Sequence, residues 1–314
     1  MPTPAVNRCQ ALVPDGATVL PNPQGTAPGL LFARGTKRVA LLPGVPREML
    51  AIWRTSLRRI VQGMSGRATI GHATLRAFGL PESAIAERLG RVEAGLAPGE
   101  LAYLPGTHGV DLRLTLSGSD RRALRKRLSG IERDIRTALG PVIYGRDDET
   151  MASVAGTLLG CRGMSVALAE SCTGGLVGDR LTDIPGSSAY FTGSVVAYGN
   201  AVKTRTLGVS PATLRRHGAV SAETAREMAR GVRAKLRADV GVAVTGIAGP
   251  GGGTRDKPVG LVCFAVAGPR GTVSETRRFL GTRWAIKELA ANTALDLLRL
   301  YLIRHRTNEK RTSC

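Results

Sequence analysis

The chain has 314 residues, 43% of them hydrophobic, enough for two or three domains with substantial cores. Aromatic residues make up only 4%, which argues against base-stacking platforms, and no apolar run approaches the length that crosses a bilayer. Five scattered cysteines without a CxxC pair, four separated histidines and an N-terminus without a signal pattern point to a cytoplasmic protein lacking a disulfide framework or zinc ribbon, while the net charge of +20 raises nucleic-acid binding as a competing expectation.

Residues 1–62 offer few elements for their length. Residues 7–13 read as a helix end or turn, followed by a short strand at 18–20 and a Pro/Gly-rich loop at 21–29. Strands at 30–33 and 38–42 flank a turn at Gly35, and a helix is predicted over 47–61 after Pro43-Gly44-Val45-Pro46. Two convincing strands and one helix read as the last part of something larger. NRCQALVPDGATVLPNPQGTAPGLLF and VALLPGVPREM resemble the closing third of the molybdopterin-binding-like domain that begins proteins of the CinA (competence/damage-inducible) family. The resemblance associates that domain with a metal-dependent ADP-ribose pyrophosphatase. Its opening strand and Gly/Asp-rich loop have no counterpart in this sequence, so a partial α/β segment without that activity is expected.

Residues 67–145 give a β-α-β-β-α-β order: strand 68–78, helix 81–89, hairpin 100–104 and 110–116, helix 121–136 and strand 141–144. The alternation Val110, Leu112, Leu114, Leu116 marks one buried face, and Asp120 is placed to cap the second helix. That helix keeps Leu124, Leu128, Ile131 and Ile135 at helical spacing, which puts most of its basic residues on a solvated face; nucleic-acid contact is the alternative. The unit resembles the small α+β KH-like middle domain of the CinA family. No GxxG clamp stands between its helices, so a spacer or dimerisation role is expected.

Residues 147–305 alternate strands with helices, which predicts a three-layer α/β domain, with a basic tail at 306–314. A helix is expected over 148–159. A buried strand at 166–169 stops at Glu170, and Ser171-Cys172-Thr173-Gly174-Gly175 then turns into a helix-like pattern over 176–184. A strand at 194–197 leads into Tyr198-Gly199-Asn200-Ala201-Val202-Lys203. Ser210 and Ser221 open two further helices. A strand at 240–244 becomes a loop over 245–253 with five glycines, and a strand at 259–267 and a long helix at 283–305 close the domain.

The 171–175 turn places a hydroxyl beside the free N–H groups of a helix start, which suits either a helix cap or a nucleophile with an oxyanion site. The glycine-rich 245–253 loop suits a phosphate nest, but no GK[ST] follows, so it is not a P-loop. A lysine such as Lys203 becomes a base when burial lowers its pKa. AESCTGGLVGDRLTDIPGSSAYFTGSVVAYGNAVKTRTLGV, HGAVSAETAREMA and VAVTGIAGPGGGTRDKPVGLVCFAV stand in the order of the CinA C-terminal domain, which also occurs alone as a nicotinamide-nucleotide amidohydrolase.

The resemblance implies hydrolysis of the carboxamide of nicotinamide mononucleotide, with Ser171 as nucleophile, Lys203 as its base and Tyr198 beside the pair. Gly199 departs from the serine more frequent in the family. Chemistry and loop position assign the N–H groups of Thr173 and Gly174 to the oxyanion. The same reasoning puts the substrate phosphate on Thr245, Gly246, Ala248, Gly249, Gly252 and Gly253, with Arg255 or Lys257 as its cation. Glu170, Cys172, Gly175 and Asn200 complete the expected substrate-binding set. No metal or cofactor is expected, and a homodimer is. Two alternatives stay open: Cys172 as the nucleophile, activated at a helix N-terminus, and a catalytically inactive protein that binds nucleotide or DNA.

Overall fold

The computed structural model describes residues 12–64 and 69–304, so the expectations for 7–11 and for the basic tail lie outside the described residues. The chain divides into two compact units at Thr69/Ile70. In the first, β1 (Ala17–Leu20), β2 (Gly29–Arg34) and β3 (Lys37–Leu41) form an antiparallel sheet in that order. Pro46 opens α1 (Pro46–Ile52), a position where its missing N–H costs nothing. The single helix predicted over 47–61 is interrupted by a π-helical stretch, Trp53–Leu57, before α2 (Arg58–Met64). Among the described residues, Leu20, Leu31, Ile52 and Leu57 make its buried core, and Val39, Leu41, Leu50, Trp53 and Met64 are exposed.

The second unit holds two sheets. β4 (Thr69–Ala77), α3 (Glu82–Ala94), β5 (Glu100–Gly106), β6 (Gly109–Gly118), α4 (Arg121–Leu139) and β7 (Ile143–Arg146) follow the predicted β-α-β-β-α-β order, with sheet order β5-β6-β4-β7. Val110, Leu112, Leu114 and Leu116 are all buried, as their alternation predicts. Asp120 caps α4 by accepting from Arg122 N (2.7 Å) and Ala123 N (3.3 Å).

The remaining elements build a three-layer α/β arrangement. They are α5 (Met151–Gly160), β8 (Val166–Glu170), α6 (Leu176–Thr182), β9 (Phe191–Val196), α7 (Asn200–Leu207), α8 (Pro211–His217), α9 (Ala222–Lys235), β10 (Val240–Gly246), β11 (Leu261–Gly268), β12 (Gly271–Arg278) and α10 (Arg283–Arg304). The sheet order is β12-β11-β10-β8-β9, with β8 parallel to both β9 and β10. Large and small residues sort to opposite faces. Val166, Leu168, Val240, Val242 and Val244 pack under α5, α6 and α10. Ala167, Ala169, Ala243 and Ala265 face α7 and α9, so α9 approaches closely: a Cβ on Gly241 would stand 2.1 Å from Ala229 O.

Ser210 and Ser221 cap α8 and α9 as predicted. Two elements differ from expectation. Lys203 stands on a helix, α7, and β12 is an additional strand whose polar residues gave no apolar alternation. Cys172 and Cys263 are free and buried. Among the described residues no helix is long and apolar enough to cross a membrane.

Candidate active site

The C-terminal ends of β8 and β10 lie side by side and carry the site's loops. Ser171 N donates to Val244 O (2.9 Å), which ties the start of the turn to the neighbouring strand. The chain then folds back through Gly174 (φ +66°) and Gly175 (φ +103°), left-handed positions that favour glycine. Glu170 is almost fully buried and turns away from the cleft. Its carboxylate accepts from Gly175 N (3.0 Å), Val177 N (3.1 Å), Gly178 N (2.9 Å) and Ser194 Oγ (3.2 Å). It caps α6, and the expectation of a substrate contact is corrected accordingly: the helix-start N–H groups already have their anion.

Gly174 is corrected too. Its N–H donates to Ser171 O (3.1 Å) and is spent in closing the turn. The Cys172 and Thr173 N–H groups make no hydrogen bond to another described residue. Of the two residues, Cys172 lines the cleft, whereas Thr173 is fully buried and does not.

Lys203 reaches Ser171 from α7. Its side chain is 1% exposed, and Nζ lies 3.1 Å from Ser171 Oγ, 2.6 Å from Ala197 O and 3.2 Å from Tyr198 O. No carboxylate pairs with it among the described residues, and burial holds its pKa below the ordinary lysine value. Cys172 shifts the other way: burial pushes its thiol up to about 12, which corrects the expectation of an activated thiol. The Tyr198 side chain is largely exposed, and its hydroxyl accepts from Arg283 Nη2 (3.2 Å); its backbone carbonyl, not its hydroxyl, faces Lys203.

These groups open onto a cavity of about 270 Å³. Ser171, Cys172, Tyr198 and Lys203 form one side, and the other comes from Thr245, Gly246, Ile247, Ala248, Gly249, Gly251 and Gly252. Ala219, Val220 and Arg283 complete the lining. Thr245 Oγ1 donates to Ala219 O (2.8 Å) and so joins the two loops. The N–H groups of Ala248, Gly249, Gly251 and Gly252 make no hydrogen bond to another described residue.

Of the expected site residues, Glu170, Thr173, Gly174, Gly175, Asn200, Gly253, Arg255 and Lys257 do not line the cavity. Lys257 Nζ instead donates to the carbonyls of His217 and Val220, bracing the 217–220 loop, so it is not a free phosphate cation. Arg283, which the sequence reading missed, stands at the cavity wall, donating to Gly249 O (2.7 Å). Its signal was an arginine in the first turn of a helix, where the dipole disfavours positive charge.

A larger cavity of about 370 Å³ lies between the four-stranded sheet and α5, α6 and α10. It has no nucleophile–base pair, and its arginines are already engaged: Arg76 with Asp111, and Arg180 with Glu288 and Asn292. Among the described residues no group of three or more His, Cys, Asp or Glu side chains is placed to hold a metal ion.

Family models match two stretches: the CinA C-terminal domain over residues 148–302 and the damage-inducible protein CinA KH domain over 72–145. A CinA-like protein from Thermosynechococcus vestitus is 45% identical over 303 residues, 95% of this chain and 72% of its own length. A CinA-like protein from Gemmatimonas aurantiaca is 44% identical over 300 residues, 94% of this chain and 70% of its own. The solved structure of a competence/damage inducible protein from Agrobacterium tumefaciens is 43% identical, covering 49% of this chain and 93% of that one, with a TM-score of 0.47.

Proposed function

This chain belongs to the CinA family, and from that premise we propose that its C-terminal domain hydrolyses the carboxamide of nicotinamide mononucleotide, releasing ammonia and nicotinate mononucleotide. The observation that carries the reading is the buried Lys203 amine, without a carboxylate partner, 3.1 Å from Ser171 Oγ. A neutral amine has two N–H donors and one lone pair. The Ala197 and Tyr198 carbonyls take the two donors, which leaves the lone pair for the Ser171 hydroxyl proton.

In this reading Ser171 Oγ attacks the carboxamide carbon as its proton passes to Lys203. The oxyanion is held by the Cys172 and Thr173 N–H groups. The C–N bond breaks as Lys203 returns the proton to the leaving nitrogen, and ammonia departs. Water then attacks the acyl-enzyme with Lys203 again as base, and Ser171 recovers its proton. Tyr198 has no part in the proton transfer here, because its hydroxyl is turned to Arg283. The substrate phosphate is received by the free N–H groups of the 248–252 stretch and by the Arg283 guanidinium.

Ammonia release from nicotinamide mononucleotide by the purified chain tests the reading, beside Ser171→Ala and Lys203→Met. Release by the parent and its loss in both variants is the expected result. Release that survives Ser171→Ala, or a folded parent that releases none, sinks it. In the second case a salt-dependent shift on DNA would favour the binding alternative that the net charge of +20 suggests.

A further inference from the structure

Lys287 stands one helical turn beyond Arg283 on the same face of α10. Its Nζ lies 3.8 Å from where a Cβ on Gly174 would begin, which brings the ammonium against the 171–175 turn. It is half-buried and has no hydrogen-bond or ion-pair partner among the described residues. The carboxylate next to it, Glu288, is committed to Arg180. The first turn of α10 has no acidic residue, and Arg283 at its start places positive charge where the macrodipole disfavours it. A local rule broken at Arg283, with an unpaired, half-buried ammonium one turn further on, is the pattern expected beside a functional site.

Resting on the amidohydrolase reading, we infer that Lys287 supports the oxyanion electrostatically across Gly174. It acts on the charge gathered at the Cys172 and Thr173 N–H groups and does not touch the substrate. Arg283 reads the phosphate at the cavity wall, whereas Lys287 serves the turn that carries the nucleophile. Its effect therefore falls on the chemical step and not on substrate binding, and it is independent of the phosphate.

Two reactions test this in the full chain. The first is ammonia release from nicotinamide mononucleotide and from nicotinamide riboside, which lacks the phosphate. The second is labelling of Ser171 by an alkyl fluorophosphonate, in which Oγ bonds to phosphorus, fluoride leaves, the serine proton goes to Lys203 and negative charge builds on the phosphoryl oxygen. Lys287→Met and Lys287→Gln are expected to lower kcat by about tenfold on both substrates, with KM within about twofold, and to slow labelling by a similar factor, while Lys287→Arg keeps the parental rates. Steeper salt inhibition of labelling in the parent than in Lys287→Met is also expected.

Rates within twofold of the parent would overturn the inference. So would a loss confined to the phosphorylated substrate, or an equal loss in Lys287→Arg. A parent that is labelled at Ser171 but releases no ammonia retires the proposed substrate, and labelling alone then decides the role of Lys287. A parent inert in both reactions overturns both readings.

Discussion

A buried lysine without a carboxylate is costly, because the folded chain withholds water from its charge. Lys203 is in that position, and its lowered pKa fixes two signs. The neutral amine is the base, so kcat/KM should rise with pH and level off below the ordinary lysine value of about 10.4. The unfolded chain binds a proton that the folded chain refuses between the lowered value and the ordinary one. Stability therefore rises with pH across that window, and below it the cost is constant. Denaturant unfolding at pH 7 and pH 10 should show the parent gaining stability relative to Lys203→Met; an unchanged difference would mean that the amine keeps its proton on folding. Cys172→Ala should keep activity within about threefold, since a thiol pushed up to about 12 is not a thiolate at neutral pH. At this scale the sequence carried Ser171 and Lys203, which stand in local motifs, and the loop residues Thr245, Gly246, Ala248, Gly249 and Gly252. It did not carry the direction in which Glu170 turns, nor which cation reaches the cleft. Lys257 and Arg283 are equally basic on paper, and only the packing of the 217–220 loop and of α10 assigns one to bracing and the other to the wall.

Elements read as well as their periodicity was clean. β8 and β10 are short apolar runs and β6 alternates, so all three were legible. α7 has no amphipathic period, because one of its two buried residues is the lysine itself, beside Leu207. β12 covers a sheet edge with polar residues, and Arg226 and Arg230 of α9 reach across to Ser274 and Thr272. The junction of β8 and α6 is where element and chemistry meet. The buried Glu170 carboxylate satisfies three backbone donors at once, and Glu170→Gln would leave an amide NH₂ facing one of them. A loss of about 1.5–3 kcal/mol is expected, read as a shift of the urea midpoint, since hydrogen bonds to charged groups contribute in that range. If the midpoint is unmoved, the cap is not what orders the turn. On the other face, Gly241→Ala would drive a methyl into Ala229 O and push α9 off β10, at about 1–3 kcal/mol by the same measurement.

At the scale of the whole second unit, α10 connects the cleft with the four-stranded sheet. Arg283 at its start lines the cavity, Asn292 at its middle donates to Thr107 O (2.9 Å), and Arg299 near its end donates to Pro141 O (2.6 Å). The β-α-β-β-α-β pattern gave the sheet but not this seam, because a polar residue on a helix announces nothing about a partner 158 or 185 positions away. Asp296 and Arg299 form the buried core of the seam, 2.7 Å apart with side chains 5% and 3% exposed. Burial raises the Asp296 pKa against the pull of Arg299. Arg299→Met removes the partner and strands the carboxylate, a class of change that costs about 3–5 kcal/mol. With its folded pKa raised further above the unfolded value, Asp296 favours folding most when protonated. The deficit of Arg299→Met should therefore shrink as pH falls toward about 4, the ordinary aspartate range. Replacing both partners, Asp296→Leu with Arg299→Met, should recover most of the loss, since a well-packed apolar pair removes the stranded charge. Calorimetry of the three proteins at pH 7 and pH 5 separates the cases. A double variant no more stable than Arg299→Met would mean that the bond from Arg299 to Pro141, and not the ion pair, joins α10 to the sheet.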